Sequence, residues 1–342
     1  MSGVRFDGRP VPPLWQLAAG LAAAALLVAG VVALIAHAAG FAEVRSAVEE
    51  ADTLWLLVCL AAQAVALAGY AQVFREAFRW QGGPEPGFRL SAHVMLASVG
   101  ATRVVAAGGA GALAATYWCF RRARFPRREA LVRVLGFNTL YYVPFAAGTW
   151  LAALVAFVGV WGEAPLGLTG PWLGVVPACV AAAAFVTQPA RVGRLTRPAG
   201  SVLRRGLALG IAGTAWVREV ALRREGRRSL IAAGVFWGGN VVSLWAALES
   251  VGEQLPLPEL VLAFATGQAA MLLPLPLGGV GGVDAALTYS LTAVGVPLAP
   301  ALVGVSVYRL FAFWAPTPPA LAALVLLPRA GRELERVALE PA

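Results

Sequence analysis

The sequence predicts an all-α polytopic membrane protein with about six full transmembrane helices and two broken, re-entrant hairpins of opposite orientation. Three observations predict this fold class. The chain of 342 residues is 59% hydrophobic and only 13% charged, whereas soluble domains carry about 25% charged residues. Apolar windows close to the roughly 20 residues that cross a bilayer recur along the whole length. Two of these windows are interrupted by glycine or proline.

Composition excludes several other classes of protein. All 27 basic residues are arginine, which excludes a lysine-dependent phosphate loop and a Schiff-base mechanism. The net charge of +9 comes from arginines in short loops between apolar windows, a pattern that favours an orientation signal over nucleic-acid binding. The three cysteines stand singly and the two histidines lie far apart. We therefore expect no disulfide framework, no metal site and no cofactor.

Six apolar segments are strong candidates for complete spans: 14–39, 54–74, 134–158, 171–188, 229–250 and 300–327. The first is too long for a signal-peptide core and has no clear cleavage site after it, so we interpret it as a retained helix. Two further apolar regions, 90–118 and 260–298, are the interrupted ones. We predict one integral membrane domain over 14–328, between short tails at 1–13 and 329–342.

The charges between these segments predict the orientation. Acidic residues dominate the loops at 41–52 and 249–259, which places both loops outside the cell. Arginine dominates 119–133, 189–228 and the carboxyl-terminal tail, which places these segments and both termini in the cytoplasm. The first interrupted region then has both flanks inside and the second has both flanks outside. We therefore expect a multi-pass protein of the cell membrane in which the two regions enter from opposite faces.

Opposed segments broken by glycine or proline indicate an inverted-repeat transporter with a binding site near the bilayer midplane. Each region is about 30 to 40 residues long, which is short for two complete crossings and a turn. The alternative is a pair of ordinary, slightly short helical hairpins in a glycine-packed bundle. The sequence favours the re-entrant interpretation and leaves the alternative open.

The first interruption lies in SVGATRVVAAGGAGALAATYWCFRR at 98–122. Gly108, Gly109 and Gly111 permit a turn that exposes backbone N–H groups to an anion. Small-residue helix packing also explains these glycines and is favoured for this motif alone. Arg103 is costly in an apolar stretch, so it either faces a cavity or partner or extends to the cytoplasmic surface.

The second interruption is LLPLPLGGVGGVDAAL at 272–287, in which Pro274 and Pro276 end the incoming helix. Four glycines then permit a tight reversal: Gly278, Gly279, Gly281 and Gly282. A new helix is predicted to begin near Val283, and its N-terminus suits a phosphate or carboxylate. Asp284 in its first turn is a helix cap, a counter-charge in a membrane cavity, or both.

Arg309 is the deepest predicted charge. It lies about nine residues into a helix that begins near Pro300, hence roughly 14 Å into a core about 30 Å thick. At that depth it needs a partner, either Asp284 or a lipid phosphate. A purely structural ion pair is the alternative to a functional role.

Residues 273–314, LPLPLGGVGGVDAALTYSLTAVGVPLAPALVGVSVYRLFAFW, resemble the carboxyl-terminal signature of the lysylphosphatidylglycerol synthase transmembrane family, which is flippase-like. That signature is a Pro-Gly-Gly-x-Gly turn, an acid, a small-residue helix, a loop, and a helix with arginine before an aromatic pair. Region 98–133 resembles an earlier glycine-rich motif of the family. The resemblance extends over nearly the whole chain in span layout. The soluble aminoacyl-transfer domain of full-length synthases has no counterpart in the sequence, so we do not expect lysyl transfer.

The sequence departs from the family pattern at three positions. Asp284 stands where the family usually has glutamate, which is a conservative change. Gly111 is followed by Ala112 where the family usually has glutamate, and Asn138 stands where arginine is often found. The last two departures favour a protein with an unusual substrate or without transport activity.

Two other features have simpler explanations. Asn138, Asn240 and Gln268 lie within spans and are expected to form interhelical hydrogen bonds rather than ligand contacts. Segment 189–228 is basic and partly apolar, which fits an interfacial helix on an anionic leaflet or a solvated positive loop.

The leading hypothesis is a flippase-like protein that binds or translocates an anionic lipid or lipid-linked precursor. Its predicted binding residues are Asp284, Arg309, Arg103 and the glycines of the two interruptions. One alternative is a non-transporting partner of a separate synthase or glycosyltransferase. Another is a lipid-modifying enzyme, which is disfavoured because the external acids Glu249, Glu253 and Glu259 have no catalytic or metal-binding spacing.

Overall fold

The chain is almost entirely helical in the computed structural model, which describes residues 5–6, 9–10, 42, 45–46, 49–104, 110–162, 164–195, 202–221, 223–272 and 281–339. The described helices are α1 (Thr53–Arg79), α2 (Phe88–Val104), α3 (Ala110–Arg122), α4 (Arg127–Val158), α5 (Leu166–Val186), α6 (Pro189–Leu195), α7 (Val202–Ala221), α8 (Arg224–Glu249), α9 (Leu257–Ala269), α10 (Gly282–Ala293), α11 (Leu298–Arg309) and α12 (Thr317–Val337). A 3₁₀ turn at Ala270–Leu272 extends α9, and a π-helical turn at Leu310–Trp314 joins α11 to α12. Near the amino terminus, β1 (Arg5–Phe6) and β2 (Arg9–Pro10) pair antiparallel.

Five described segments are long and apolar enough to cross a membrane: Thr53–Arg79, Arg127–Val158, Leu166–Val186, Gly226–Glu249 and Leu298–Val337. They coincide with the predicted spans 54–74, 134–158, 171–188, 229–250 and 300–327. The predicted all-α polytopic fold class is therefore confirmed. The remaining predicted span, 14–39, lies outside the described residues.

Helices α1 and α8 form the longest antiparallel pair and mark the two ends of the bundle. At one end the amide of Asp52 donates to the carbonyl oxygen of Ser250 over 2.8 Å. At the other end the indole of Trp80 donates to the hydroxyl of Ser229 over 3.1 Å. These two bonds lie at opposite ends of α1, so each marks one face of the bundle. The other loops can be assigned to a face by their contacts with these ends.

The face at Trp80 carries the arginine-rich loops, and we call it the arginine face. Here Arg122 at the end of α3 forms an ion pair of 2.5 Å with Glu335 near the end of α12. The indole of Trp216 on α7 donates to the side-chain oxygen of Gln81 over 3.1 Å. Loops 80–87, 123–126 and the arginine-rich stretch before α8 thus share one side of the bundle.

The face at Asp52 is the acidic face. The loop after α4 lies here, because a Cβ on Gly162 would be 2.8 Å from the Glu259 carboxylate at the start of α9. The loop between α8 and α9 follows Ser250 on this side, and Val294 after α10 packs against the same apolar cluster as Leu168. The predicted separation of arginine-rich and acidic loops onto two faces is therefore present in the structure.

The two interrupted regions form hairpins that open on opposite faces. Helix α2 begins and α3 ends at the arginine face, whereas α9 begins and α10 ends at the acidic face. Their 17, 13, 13 and 12 residues correspond to about 26, 20, 20 and 18 Å of helix, less than the roughly 30 Å hydrocarbon core. The opposite orientation predicted for the two hairpins is therefore present in the structure, and their re-entrant character stays a prediction. The peptide at each tip, 105–109 and 273–280, lies outside the described residues.

The basic segment 189–228 contains helices α6 and α7 rather than only a solvated loop. The apolar side of α7 packs against α4, where a Cβ on Gly213 would lie 2.9 Å from Leu135 Cβ. Trp216, Val217 and Val220 are buried in this contact region. The basic helix α7 is therefore packed against the helical bundle through its apolar side.

Candidate functional site

Arg309 and Asp284 form a buried ion pair between α11 and α10. The Nε atom of Arg309 lies 2.6 Å from Oδ1 of Asp284, and each side chain is only 10% exposed. Arg309 is eleven residues from the start of α11, about 16 Å from the acidic face. Of the two partners considered from the sequence, Asp284 and a lipid phosphate, the structure shows Asp284 beside Arg309.

Asp284 also caps its own helix. The backbone N–H of Gly281 donates to Oδ2 of Asp284 over 2.8 Å, which satisfies one of the free amides at the start of α10. Gly281 has a φ of 80°, a left-handed conformation in which a Cβ is strained. One carboxylate oxygen therefore caps the helix while the other binds Arg309, so both roles inferred from the sequence are present.

Arg103, near the end of α2, reaches the same place from the opposite hairpin. Its Cζ atom lies 3.5 Å from the centroid of the Phe313 ring, and Cζ of Arg309 lies 4.4 Å from that same centroid. The two guanidinium groups are therefore at most about 8 Å apart, the sum of those distances. Arg103 is fifteen residues, about 22 Å, into α2, too far from the arginine face to extend back to it.

Tyr308 and Asn240 add neutral polar groups beside the ion pair. The Tyr308 hydroxyl donates to Oδ1 of Asn240 over 3.0 Å, and the Asn240 amide donates to the Phe236 carbonyl. Gln268 on α9 also neighbours Tyr308, and its side-chain oxygen has no hydrogen-bond partner in the described structure. The interhelical bond predicted for Asn240 is confirmed.

For Asn138, the described residues show no interhelical hydrogen bond of the predicted kind. Its amide donates 2.9 Å to the carbonyl of Val134, one turn earlier in α4. An isolated amide can satisfy a donor on its own helix when no partner helix presents an acceptor. Among the described contacts, the hydrogen bond of Asn138 lies within α4.

We call Arg103, Asp284, Tyr308, Arg309 and Phe313 the central cluster. It holds two guanidinium groups and one carboxylate, a formal charge of +1. Within the described part of the chain, Arg103 has no ion-pair partner, and Nε of Arg103 and Nη2 of Arg309 donate to nothing. Buried donors without acceptors are unfavourable, so the cluster presents an unmet demand for an anion.

Two members of the central cluster were not predicted from the sequence. Phe313 lies four residues after Arg309, a spacing that places both on one side of a helix, and this was the available signal. The π-helical turn that contains Phe313 starts directly after Arg309. Such turns are rare and often occur at functional sites. Tyr308, which adjoins Arg309, carried no signal of its own.

The predicted glycines have mixed outcomes. Gly281 and Gly282 begin α10 and position Asp284, as expected. Gly111 is buried in the first turn of α3, with half-buried Ala112 after it. Four further predicted glycines lie outside the described residues: Gly108, Gly109, Gly278 and Gly279.

An apolar cavity of about 470 Å³ lies between α4, α8 and α9, next to the central cluster. We call it the lateral pocket. Its lining includes Trp237 and Phe264, and the Phe264 ring is 6.1 Å from the ring of Tyr308. Thr149 also lines the pocket, and its buried hydroxyl has no hydrogen-bond partner in the described structure.

The family model of the lysylphosphatidylglycerol synthase TM region matches residues 18–320. The chain belongs to this family. The resemblance inferred from residues 273–314 is thereby confirmed, and with it the assignment as an integral membrane protein. A comparison with curated proteins gives no match.

Four of the five members of the central cluster, all but Arg103, come from the carboxyl-terminal motif, and Arg103 comes from the earlier region 98–133. The groups present are guanidinium N–H donors, a carboxylate, a phenol and amides, all suited to electrostatic binding. Among the described residues, no group of three or more His, Cys, Asp or Glu side chains is placed to hold a metal ion.

Proposed function

We propose that this protein binds an anionic lipid headgroup at the central cluster and translocates that lipid, or a lipid-linked precursor, between leaflets. One observation carries the proposal: two guanidinium groups are buried on one aromatic ring and only that of Arg309 pairs with a carboxylate, so a positive charge and two N–H donors are left over. A phosphate is the complement of that arrangement, because it supplies negative charge and several acceptor oxygens.

The positions of the hairpins support transport rather than binding alone. Arg103 belongs to a hairpin that opens on the arginine face, and Asp284 to a hairpin that opens on the acidic face. Arg103 and Arg309, the partner of Asp284, meet at Phe313, which supports a midplane site bounded by one broken segment from each side, the arrangement of inverted-repeat carriers. Motion of either hairpin would then open the site to one face at a time.

The lateral pocket supports a lipid as the carried molecule. It is apolar, and Ile, Leu, Val and aromatic side chains dominate such chain-binding cavities. Through Phe264 it adjoins Tyr308, so a headgroup at the central cluster would leave its hydrocarbon chain within reach of the pocket. A small soluble anion has no hydrocarbon chain that could occupy this pocket.

The test is reconstitution into vesicles that contain a fluorescent anionic phospholipid or its phosphatidylcholine counterpart. Exchange between leaflets is followed by quenching from the outside. We expect exchange of the anionic lipid above that of empty vesicles, and a loss of at least about tenfold with Arg103→Gln, since a charged hydrogen bond contributes about 1.5 to 3 kcal/mol. Arg103 is chosen because its removal leaves no described acid unpaired.

Arg122→Gln is the matched control, because it also removes one arginine, here from an ion pair at the arginine face outside the central cluster. It should leave the exchange rate within about twofold of the unmodified protein. Exchange equal to that of empty vesicles, or an Arg103→Gln variant as active as Arg122→Gln, would contradict the proposal. Binding without exchange would instead support the non-transporting partner.

A further inference from the structure

A second cavity, separate from the central cluster, lies between α1 and α8 near the arginine face. Its volume is about 540 Å³, and its lining combines charged residues at the mouth with apolar residues below. We call it the α1–α8 groove. Arg228 at the mouth lies twelve residues from Asn240, about 18 Å along α8, so the groove and the central cluster are different sites.

The close crossing of α1 and α8 forms the apolar floor of the groove. Gly69 permits this approach, because a Cβ there would lie 2.8 Å from the carbonyl oxygen of Ala232. Ile231 and Val235 border the floor and are 68% and 39% exposed. In a bilayer these exposed apolar side chains face lipid, so the groove opens sideways to the hydrocarbon chains of one leaflet.

The mouth of the groove has excess positive charge. It is lined by the guanidinium groups of Arg75, Arg79 and Arg228 and by one carboxylate, that of Glu76. Arg79 forms ion pairs with Glu76 and with a second, exposed acid, Glu85. Within the described chain, Arg75 donates only to the carbonyl of Pro86.

Arg228 is exposed and forms no ion pair with any acidic side chain that the structure describes. Arg75 and Arg228 therefore leave about two positive charges uncompensated at the depth of the lipid headgroups. Basic pockets between membrane helices at this depth bind anionic headgroups.

Two buried atoms at the mouth, one hydrogen-bond donor and one acceptor, have no hydrogen-bond partner among the described residues. Nε of Arg79 has no acceptor, and Oε2 of Glu76 has no donor, among the described residues. Glu76 is only 1% exposed, and its other oxygen accepts from Gln72 over 2.7 Å and from Arg79. A ligand that brings both acceptor oxygens and a hydroxyl donor would satisfy both atoms.

We propose that the α1–α8 groove binds one anionic glycerophospholipid of the adjacent leaflet, with a phosphate on the arginines and a headgroup alcohol at Glu76. Charge complementarity selects the phosphate, and the lipid-facing apolar floor accommodates an acyl chain. The bound lipid would be a resident of the fold at this position, independent of any lipid that the central cluster handles.

The experiment is native mass spectrometry of the full chain in a neutral detergent, titrated with dioleoylphosphatidylglycerol or dioleoylphosphatidylcholine. The chains are identical, but only the first lipid has a net negative charge and headgroup hydroxyls. We expect one tight phosphatidylglycerol adduct. Arg75→Gln with Arg228→Gln should weaken it about thirtyfold, since each arginine near an anionic headgroup contributes about fivefold.

Arg127→Gln with Arg128→Gln is the matched control, because both arginines are exposed at the arginine face and neither lines the groove. It should change the affinity less than about threefold. The single variant Arg228→Gln, which alters only an exposed side chain, should weaken the adduct about fivefold even if the double variant folds poorly. Arg103→Gln should leave the adduct intact, which separates this site from the central cluster.

Three results would overturn the proposal. The first is equal affinity for the two lipids. The second is equal weakening by the groove variant and by its matched control. The third is displacement of the lipid by an equal concentration of glycerol phosphate, because a headgroup-only site would make no use of the apolar floor.

Discussion

Replacing Asp284 by asparagine should destabilise the protein more than replacing Arg309 by glutamine. In the first variant Arg103 and Arg309 both remain on the Phe313 ring without a carboxylate. In the second variant Arg103 and Asp284 both remain, so the central cluster keeps one charge of each sign. Arginine cannot discharge itself by losing a proton, whereas an aspartate can gain one.

The structure gives the magnitude. Both side chains of the pair are 10% exposed, so Asp284→Asn leaves two uncompensated, largely desolvated cations and should cost about 3 to 5 kcal/mol. Arg309→Gln should cost about 1 to 3 kcal/mol, as for a buried polar group that loses its partner. Asp284→Ala should cost about 1 kcal/mol more than Asp284→Asn, because the alanine also removes the acceptor for the Gly281 amide.

The free energy of unfolding is measured by titrating the purified protein in mild detergent with a denaturing detergent and following helicity. Glu253→Gln, which removes an acid at the acidic face, is the control and should change stability by less than about 0.5 kcal/mol. An Asp284→Asn variant as stable as Glu253→Gln, or less destabilised than Arg309→Gln, would refute the reasoning from the charge of the central cluster.

Three further outcomes follow from other parts of the molecule. Phe313→Leu should lower the free energy of unfolding by about 2 kcal/mol in the same titration, because the ring supports two guanidinium groups, and an unchanged value would show that the stacking contributes nothing. Gly69→Ala should cost about 1 to 3 kcal/mol because its Cβ meets the backbone of α8, whereas Gly234→Ala, with open space around it, should be neutral or stabilising; equal effects would contradict the close crossing of α1 and α8. In a variant without native cysteines, an impermeant thiol reagent on intact cells should label Gln254→Cys on the acidic face and spare Arg128→Cys on the arginine face, and labelling of both would overturn the orientation.

Much of the topology could be predicted because hydropathy and loop charge are properties of contiguous segments. Five of the predicted spans coincide with long apolar helices of the structure. The separation of arginine-rich from acidic loops also required no knowledge of packing, since it follows from counting charges along the chain. That Arg309 needs a partner could be predicted for the same reason, because depth arithmetic placed a charge where solvent cannot reach it, and the structure then showed which of the two candidates, Asp284, is that partner.

The failures share one physical cause, which is that the sequence does not show which helix lies opposite a given side chain. Asn138 and Asn240 look alike in the sequence, yet one bonds within α4 and the other receives the Tyr308 hydroxyl. The structure distinguishes them because Tyr308 on α11 donates to Asn240, whereas among the described residues no other helix presents a donor to Asn138. The same applies to Arg103, for which the sequence left a partner and the cytoplasmic surface as equal alternatives.

By itself, the sequence determined that this chain is a polytopic membrane protein with two opposed broken hairpins, a lone acid after the second break and a deep arginine that needs a partner. Only the tertiary structure decided that Arg103, 210 residues before Phe313, stacks on that ring beside Arg309. It likewise decided that Gly69 lets α1 and α8 cross closely enough to form a cationic groove. Hydropathy and charge act along the chain and can be read from it, whereas these contacts depend on how side chains of distant helices fit against one another.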